Sequence, residues 1–303
     1  MPAHITDPIF TDEAKAVAHM EASRWPEGAY CPHCGSTNVH KMAGKTQAGM
    51  FLCNDCRDKF TVRTGTIFER SHIPLHKWLL ATHLMAASKK SMSALQISRM
   101  LGITYKSTWF MCMRIRESMK PGKVGPIGGP GKVVEADESV FGGKAKNRAH
   151  AKTEPKKMTV LTLVDRDGES RSFHVANVKA ATLREAIVTT ASRKSYLMTD
   201  EHVSYEGIGK EFWWHGTVNH SANEYARAGF WHINTTECRF SLMKRAVFGA
   251  HHSVSEAHLP RYLVEWDFKF NTREMTDGER AALALKGAEG RRLTYRQPHG
   301  AAN

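Results

Sequence analysis

Nowhere in the 303 residues do 18 apolar residues run together, so no segment reads as a membrane-spanning helix. The opening MPAHITDPIFTDEAK has neither a basic n-region nor an apolar h-region. That excludes a secretory signal at this start and leads to the expectation of a cytoplasmic or nucleoid-associated protein with no membrane role. Acidic residues are few beside basic ones, 30 Asp plus Glu against 43 Lys plus Arg, for a net charge of +13. A surplus of that size favours a polyanionic partner, nucleic acid before an anionic membrane. Internal repeats and low-complexity tracts are absent. Cysteine is scarce too, with six in the chain. Without an export signal, paired cysteines bind metal more often than they form disulfides.

What is present is ordinary in bulk: 41% hydrophobic and 24% charged residues, enough for a sizeable core. The length suits two or three domains. Residues 1–27 hold a short helix over 11–23, with Thr11 as the expected N-cap. Residues 28–70 read as a small ribbon, and 71–120 as helical. PGKVGPIGGPGK (121–132) contains five glycines and three prolines and is expected to be a linker. From 133 to 275 the pattern runs strand, hairpin, helix, strand, helices. Its hairpin turns at Asp165-Arg166-Asp167-Gly168, where turn chemistry accounts for both aspartates. This order predicts an α/β fold, one mixed sheet covered by helices. Residues 276–303 are expected to be a peripheral extension.

Cys31-Pro-His-Cys34 and Cys53-Asn-Asp-Cys56 are two Cys-x2-Cys knuckles separated by eighteen residues. Two such pairs supply the four soft ligands of a closed structural zinc site. Gly35 suits the first knuckle turn, Tyr30, Phe51 and Phe60 can form a small core, and His33 and His40 are not needed as ligands. Within 94–113, Ile97, Leu101, Ile103 and Met111 form an apolar set around Gly102, which sits where a turn between two helices belongs. The second helix is expected to start at Thr104 and to present Tyr105, Lys106, Ser107 and Trp109 to a DNA major groove. The competing reading is an ordinary helical hairpin.

Three acids stand in separate contexts. Asp137 and Asp200 are expected at the C-terminal ends of strands, where open sheets place chemistry. Glu237 opens a helix, with Lys244 seven residues on and therefore on the same face two turns away. His232 and Asn234 precede that helix. Three carboxylates brought together are what a pair of divalent cations needs for phosphoryl transfer. Taken singly, each acid reads better as a turn, cap or surface residue. The segment 144–157 carries six Lys or Arg and one Glu, either a DNA-backbone clamp or a solvated loop.

Together the ribbon, the helix pair, VEADESVFGGK (134–144), LMTDEHVSY (197–205) and HINTTECRFSLMKRAVFGAHHSVSEAHLPRYLVEWDFKFN (232–271) resemble bacterial insertion-sequence transposases. The resemblance spans roughly residues 15–275. It implies a ribonuclease H-like DDE domain behind a zinc ribbon and a helix-turn-helix. It also implies that Asp137, Asp200 and Glu237 hold two Mg²⁺ or Mn²⁺ ions, with Lys244 as the trailing basic residue. The reaction implied is cleavage at transposon ends followed by strand transfer into target double-stranded DNA, by a homodimer or larger assembly. Cys238-Arg239 depart from the pattern, since relatives tend to carry Gly and an aromatic there. Two other classes remain open: a zinc-ribbon regulator without catalysis, and a metal-dependent nuclease or resolvase.

Overall fold

The structure, a computed structural model, describes residues 4–44, 48–143, 156–218 and 230–294. Apart from Lys156 and Lys157, the basic segment 144–157 lies outside these residues. The first elements are α1 (Glu13–Arg24), β1 (Val39–Lys41), β2 (Met50–Cys53), β3 (Lys59–Thr61), α2 (Leu75–Ala87), α3 (Ala94–Leu101) and α4 (Tyr105–Ser118). Then come β4 (Val133–Phe141), β5 (Met158–Asp165), β6 (Ser170–Val175), α5 (Ala180–Thr190), β7 (Tyr196–Asp200), α6 (Glu206–Gly209) and β8 (Trp214–Val218). Helices α7 (Asn234–Ala246), α8 (Leu259–Asn271) and α9 (Asp277–Lys286) complete the described elements. The chain divides into two units, Met1–Lys120 with Glu274–Asn303, and Pro121–Arg273.

In the first unit, α1 is capped by Asp12, whose carboxylate accepts from the Lys15 N–H at 3.0 Å. The cap thus falls one residue after the expected Thr11, which instead closes a 3-10 turn over Pro8–Phe10. Strands β1, β2 and β3 pair antiparallel in that order. Their core is aromatic: Phe51 stacks on Phe60 at 5.4 Å, and Trp25, just past α1, meets both edge-on at 5.2 and 5.8 Å. Helix α1 is therefore packed onto the ribbon rather than set apart from it. Edge-to-face contacts of this kind add to the apolar burial that a three-strand sheet needs.

The tail expected to be peripheral folds back into this unit. A capping box between Thr276 and Glu279 starts α9, which buries Ala281, Ala284 and Leu285 and packs against α2. Beyond it, Glu289 accepts from Arg24 Nη2 and from the Tyr30 hydroxyl, both at 2.7 Å. Gly287 permits the approach, because a Cβ there would come within 2.1 Å of the Ser118 carbonyl oxygen. Weak periodicity hid the helix: alanines bury little area, so their face scarcely registers in the sequence.

The second unit is the mixed α/β sheet expected, in the order β6-β5-β4-β7-β8. β4, β5 and β6 are antiparallel neighbours, while β7 and β8 run parallel to β4. Alternation along β4 sends Val134 and Ala136 to one face, where Leu161, Leu163, Leu183, Ile187 and Leu197 are buried with them. The opposite face carries Val133, Met198 and Ile233, with α7 across β4 and β5 and α8 on β6. β8 had no counterpart in the sequence reading, since Gly216 and two polar residues dilute its strand signal. The expected linker is partly docked here as well: Ile127 is buried, and the Gly129 N–H donates to Ser195 Oγ at 2.8 Å.

Candidate active site and metal centre

The four knuckle cysteines converge. Their sulfurs all lie within 4.8 Å of one another, with Cys31 to Cys56 at 3.6 Å and Cys34 to Cys53 at 3.7 Å. A tetrahedron with metal–sulfur bonds of about 2.3 Å has edges of about 3.8 Å, so the spacing fits a structural zinc. The knuckles share one turn: the Gly35 N–H donates to Cys31 O at 2.8 Å, and the Arg57 N–H to Cys53 O at 3.1 Å. Both turn residues are left-handed, with φ of 79° at Gly35 and 63° at Arg57. Asp55 ties the knuckles together by accepting from Ser36 Oγ at 2.5 Å and Asn38 Nδ2 at 2.9 Å. The backbone N–H of Cys56 draws the Cys53 thiol down to about 7. Against the pull of backbone N–H groups, burial and neighbouring sulfurs hold the Cys34 and Cys56 thiols up, a crowding of sulfurs that a zinc ion would relieve.

Helices α3 and α4 meet as the spacing predicted. Gly102 ends α3 in the left-handed region, and the Thr104 side chain caps α4 at Ser107. Tyr105, Lys106 and Ser107 are exposed on the first turn of α4, and Trp109 is half-buried. That arrangement equally describes a helical hairpin.

In the second unit, Asp200 is the last residue of β7, but Asp137 lies mid-strand. β4 runs on to Phe141 against β5, whereas its pairing with β7 stops at Glu135–Met198. Asp137 therefore stands just where β4 outruns its parallel partner, and that is why the polar site opens there. Asp137 and Asp200 share the face that α7 covers. Burial pushes the Asp137 carboxyl up to about 7, and the charges of Glu138, Asp200 and Glu237 add to the rise. Glu237 is exposed on the first turn of α7.

Among the described residues, only the cysteine group has all its ligand atoms within 4.8 Å, so the three acids stand further apart than that. The acidic donor set is all oxygen, which suits a hard divalent cation rather than zinc. The charge repulsion felt by Asp137 is what such a cation would relieve. Lys244 is half-buried beside a cavity of about 520 Å³ lined also by Phe141, Met158, Phe248, Val254 and Leu259.

Four further residues belong to this site. Glu138, next to Asp137 but pointing to the other face, accepts a short hydrogen bond from the Tyr205 hydroxyl. Burial pushes the Glu138 carboxyl up, the Tyr205 hydroxyl pulls it back, and the Asp200 charge adds to the rise. Burial, then the Glu138 charge, holds Tyr205 well above its ordinary value. Glu135, fully buried, pairs with the half-buried Arg166 at 2.6 Å behind the start of α7. Glu135 and Glu138 carried a sequence signal as the acids around Asp137 in VEADES and Tyr205 closes LMTDEHVSY, whereas Arg166 stood only in a turn.

Residues 128–271 match the model of the ISXO2-like transposase domain, and residues 11–59 match the transposase zinc-ribbon domain. The chain belongs to the insertion-sequence transposases. A protein of Halobacterium salinarum, named as an uncharacterized protein in transposable element ISH50, is 28% identical over 277 residues. That alignment spans 84% of this chain and 89% of the relative. The transposase domain implies a ribonuclease H-like fold for the five-strand sheet and an enzyme of the nuclease and transposase class. The ribbon and the domain together imply DNA as the partner of this transposase. No helix among the described residues is long and apolar enough to cross a membrane.

The departure at Cys238-Arg239 has a structural answer. Arg239 is buried, pairs with Asp267 at 2.9 Å, and lies 4.5 Å over the Phe270 ring. Asp267 also accepts from Ser170 Oγ and from the N–H and Oγ of Ser172. Arg239 thereby fastens α7 to α8 and β6 just behind Glu237.

Proposed function

We propose that this transposase cuts DNA at the ends of its element and then joins the freed 3′-hydroxyl to target DNA at the same site. Asp137, Asp200 and Glu237 would hold two Mg²⁺ or Mn²⁺ ions. Cations bound there supply Lewis-acid activation of the attacking oxygen and neutralise charge on the leaving oxygen. The chain's own residues do the positioning. Asp137 and Asp200, level on the sheet, fix one side of the scissile phosphate, and Glu237 approaches from α7. Lys244, two turns along the same helix, contacts the adjoining phosphate as a point charge. Water is the nucleophile for cutting and the 3′-hydroxyl for joining, so one site serves both steps.

Tyr105, Lys106, Ser107 and Trp109 on the exposed start of α4 read or grip the element's end, with the ribbon as a second contact. Two ends must be held together for joining, so the active species is a homodimer or larger assembly on DNA.

The observation that carries this reading is the shared register and face of Asp137 and Asp200, with Glu237 electrostatically coupled to Asp137. The test is a labelled element end incubated with target DNA and Mg²⁺. Cleavage and a joined product are expected with the natural chain and neither with Asp137→Ala or Asp200→Ala. Unchanged cleavage in the variants would overturn the catalytic reading, while cleavage without any joined product would favour a nuclease or resolvase.

A further inference from the structure

Glu135 is a fully buried carboxylate with an unusual set of partners. Its side chain is 0% exposed, and Arg166 Nε donates to it at 2.6 Å. Thr235 Oγ1 and the Thr236 backbone N–H each donate at 3.0 Å, Thr236 Oγ1 at 3.4 Å, and His232 Nδ1 stands 3.2 Å away. The remaining guanidinium nitrogens of Arg166 donate to Phe230 O at 2.8 Å and His232 O at 2.7 Å. Apart from Arg166, which stands in the turn between β5 and β6, every one of these partners falls on the turn leading into α7 or on its first turn.

Helix α7 has no cap of its own, since Ile233 occupies the N-cap position and offers no side-chain acceptor. Thr236 is the third residue of that helix, whose N–H an N-cap side chain would ordinarily satisfy. Glu135 fills that role from another element, and its negative charge also complements the helix N-terminus. The next residue along α7 is Glu237. Two residues along β4, on the same face as Glu135, is Asp137, roughly 7 Å further on.

We infer that Glu135 is a positioning residue: it clamps the start of α7 to β4 and so sets Glu237 against Asp137. The inference rests on the reading of Glu237 as a metal-holding acid. Stability alone does not explain the arrangement. Burying the Glu135 carboxylate costs several kcal/mol of desolvation even with a cation beside it, and apolar replacements of buried pairs are often neutral or stabilising. What the pair supplies is a fixed register between a strand and a helix that meet only through the fold. Outer partners of this kind typically govern 10- to 100-fold in metal affinity.

The test compares Mn²⁺ binding by calorimetry in the full-length zinc-loaded protein, its Glu135→Gln and Glu237→Gln variants, and Leu183→Ala. Leu183 is buried on the opposite face of the sheet, so that variant loses stability without touching α7. Glu135→Gln is expected to weaken Mn²⁺ binding roughly tenfold and to speed amide exchange at Thr236 and Glu237, with Leu183→Ala within about twofold of the natural chain.

Natural affinity in Glu135→Gln alongside weakened binding in Glu237→Gln overturns the positioning role alone. Natural affinity in Glu237→Gln overturns the underlying reading of that acid. Equal weakening by Leu183→Ala reduces Glu135 to a stability residue. Should Glu135→Gln fail to fold, Thr235→Val removes a single donor to the clamp. It is expected to weaken binding about fivefold, and unchanged binding there also overturns the inference.

Discussion

Asp137 and Asp200 stand level on neighbouring parallel strands: β4 and β7 pair Glu135 with Met198, and each aspartate lies two residues further along on the same face. Neutralising either removes one side of the proposed cradle with almost no change of shape. Asp137→Asn and Asp200→Asn are each expected to slow single-turnover cleavage of an element end by at least about 10³-fold, equivalent to about 4 kcal/mol. Unaltered circular dichroism would confirm that the fold persists.

The raised Asp137 pKa makes metal binding and stability depend on pH. At pH 6 a proton occupies most of a carboxyl titrating at about 7, so Mn²⁺ must displace it; at pH 8 it need not. Binding is expected to be roughly tenfold weaker at pH 6 than at pH 8. For the metal-free protein the sign runs the other way. A carboxyl raised from 3.8 to about 7 on folding contributes stability that is full below the lower value and lost as pH rises through the upper one. The melting temperature of the natural chain relative to Asp137→Asn should therefore fall between about pH 4 and pH 7.

The cysteine tetrad predicts one zinc per chain by elemental analysis. Cys34→Ser breaks the closed ligand set, and the ribbon has too small a core to hold without its metal. Loss of zinc, together with loss of the ribbon's near-ultraviolet aromatic signal from Trp25, is the expected outcome. Full zinc retention in that variant would show that the four sulfurs are not the ligand set.

Replacing Arg239 with Met leaves Asp267 buried without its cation. The expected cost in urea denaturation at neutral pH is about 3–5 kcal/mol. Burial already pushes the Asp267 carboxyl up, so removing the guanidinium pushes it further. The penalty should shrink as pH falls and the lone carboxyl takes up a proton.

If the first turn of α4 lies on DNA, Lys106→Ala should weaken binding to element ends and to unrelated DNA alike. The slope of log affinity against log salt should shrink by about 1, the share of one phosphate contact. A slope equal to that of the natural chain would place DNA elsewhere on the molecule.

Several elements could be read directly from residue order because their causes are local. The knuckle spacing brings four sulfurs together through two short turns, and Gly102 with Thr104 ends one helix and starts the next. The apolar runs ending in Asp165 and Asp200 mark strands by composition alone. The same locality explains the misses. Asp12 took the cap expected of Thr11 because Thr11 is engaged in closing the turn over Pro8–Phe10. β8 is a strand only because β7 offers it a parallel edge, and α9 is recognisable only once α2 covers its alanines.

The candidate site divides along the same line. Residue type and spacing singled out the four cysteines. Asp137, Asp200 and Glu237 each had a plain turn, cap or surface reading, and only the resemblance of the whole chain to transposases set them together as candidates. Their level on the sheet, the clamp that Glu135 and Arg166 place on α7, and the anchoring of Arg239 on Asp267 could not be named that way. Each joins residues 28 to 101 positions apart. Contacts over such separations form only after the chain has met the entropy of closing the loops between them, and nothing in the local sequence records which partners will be there.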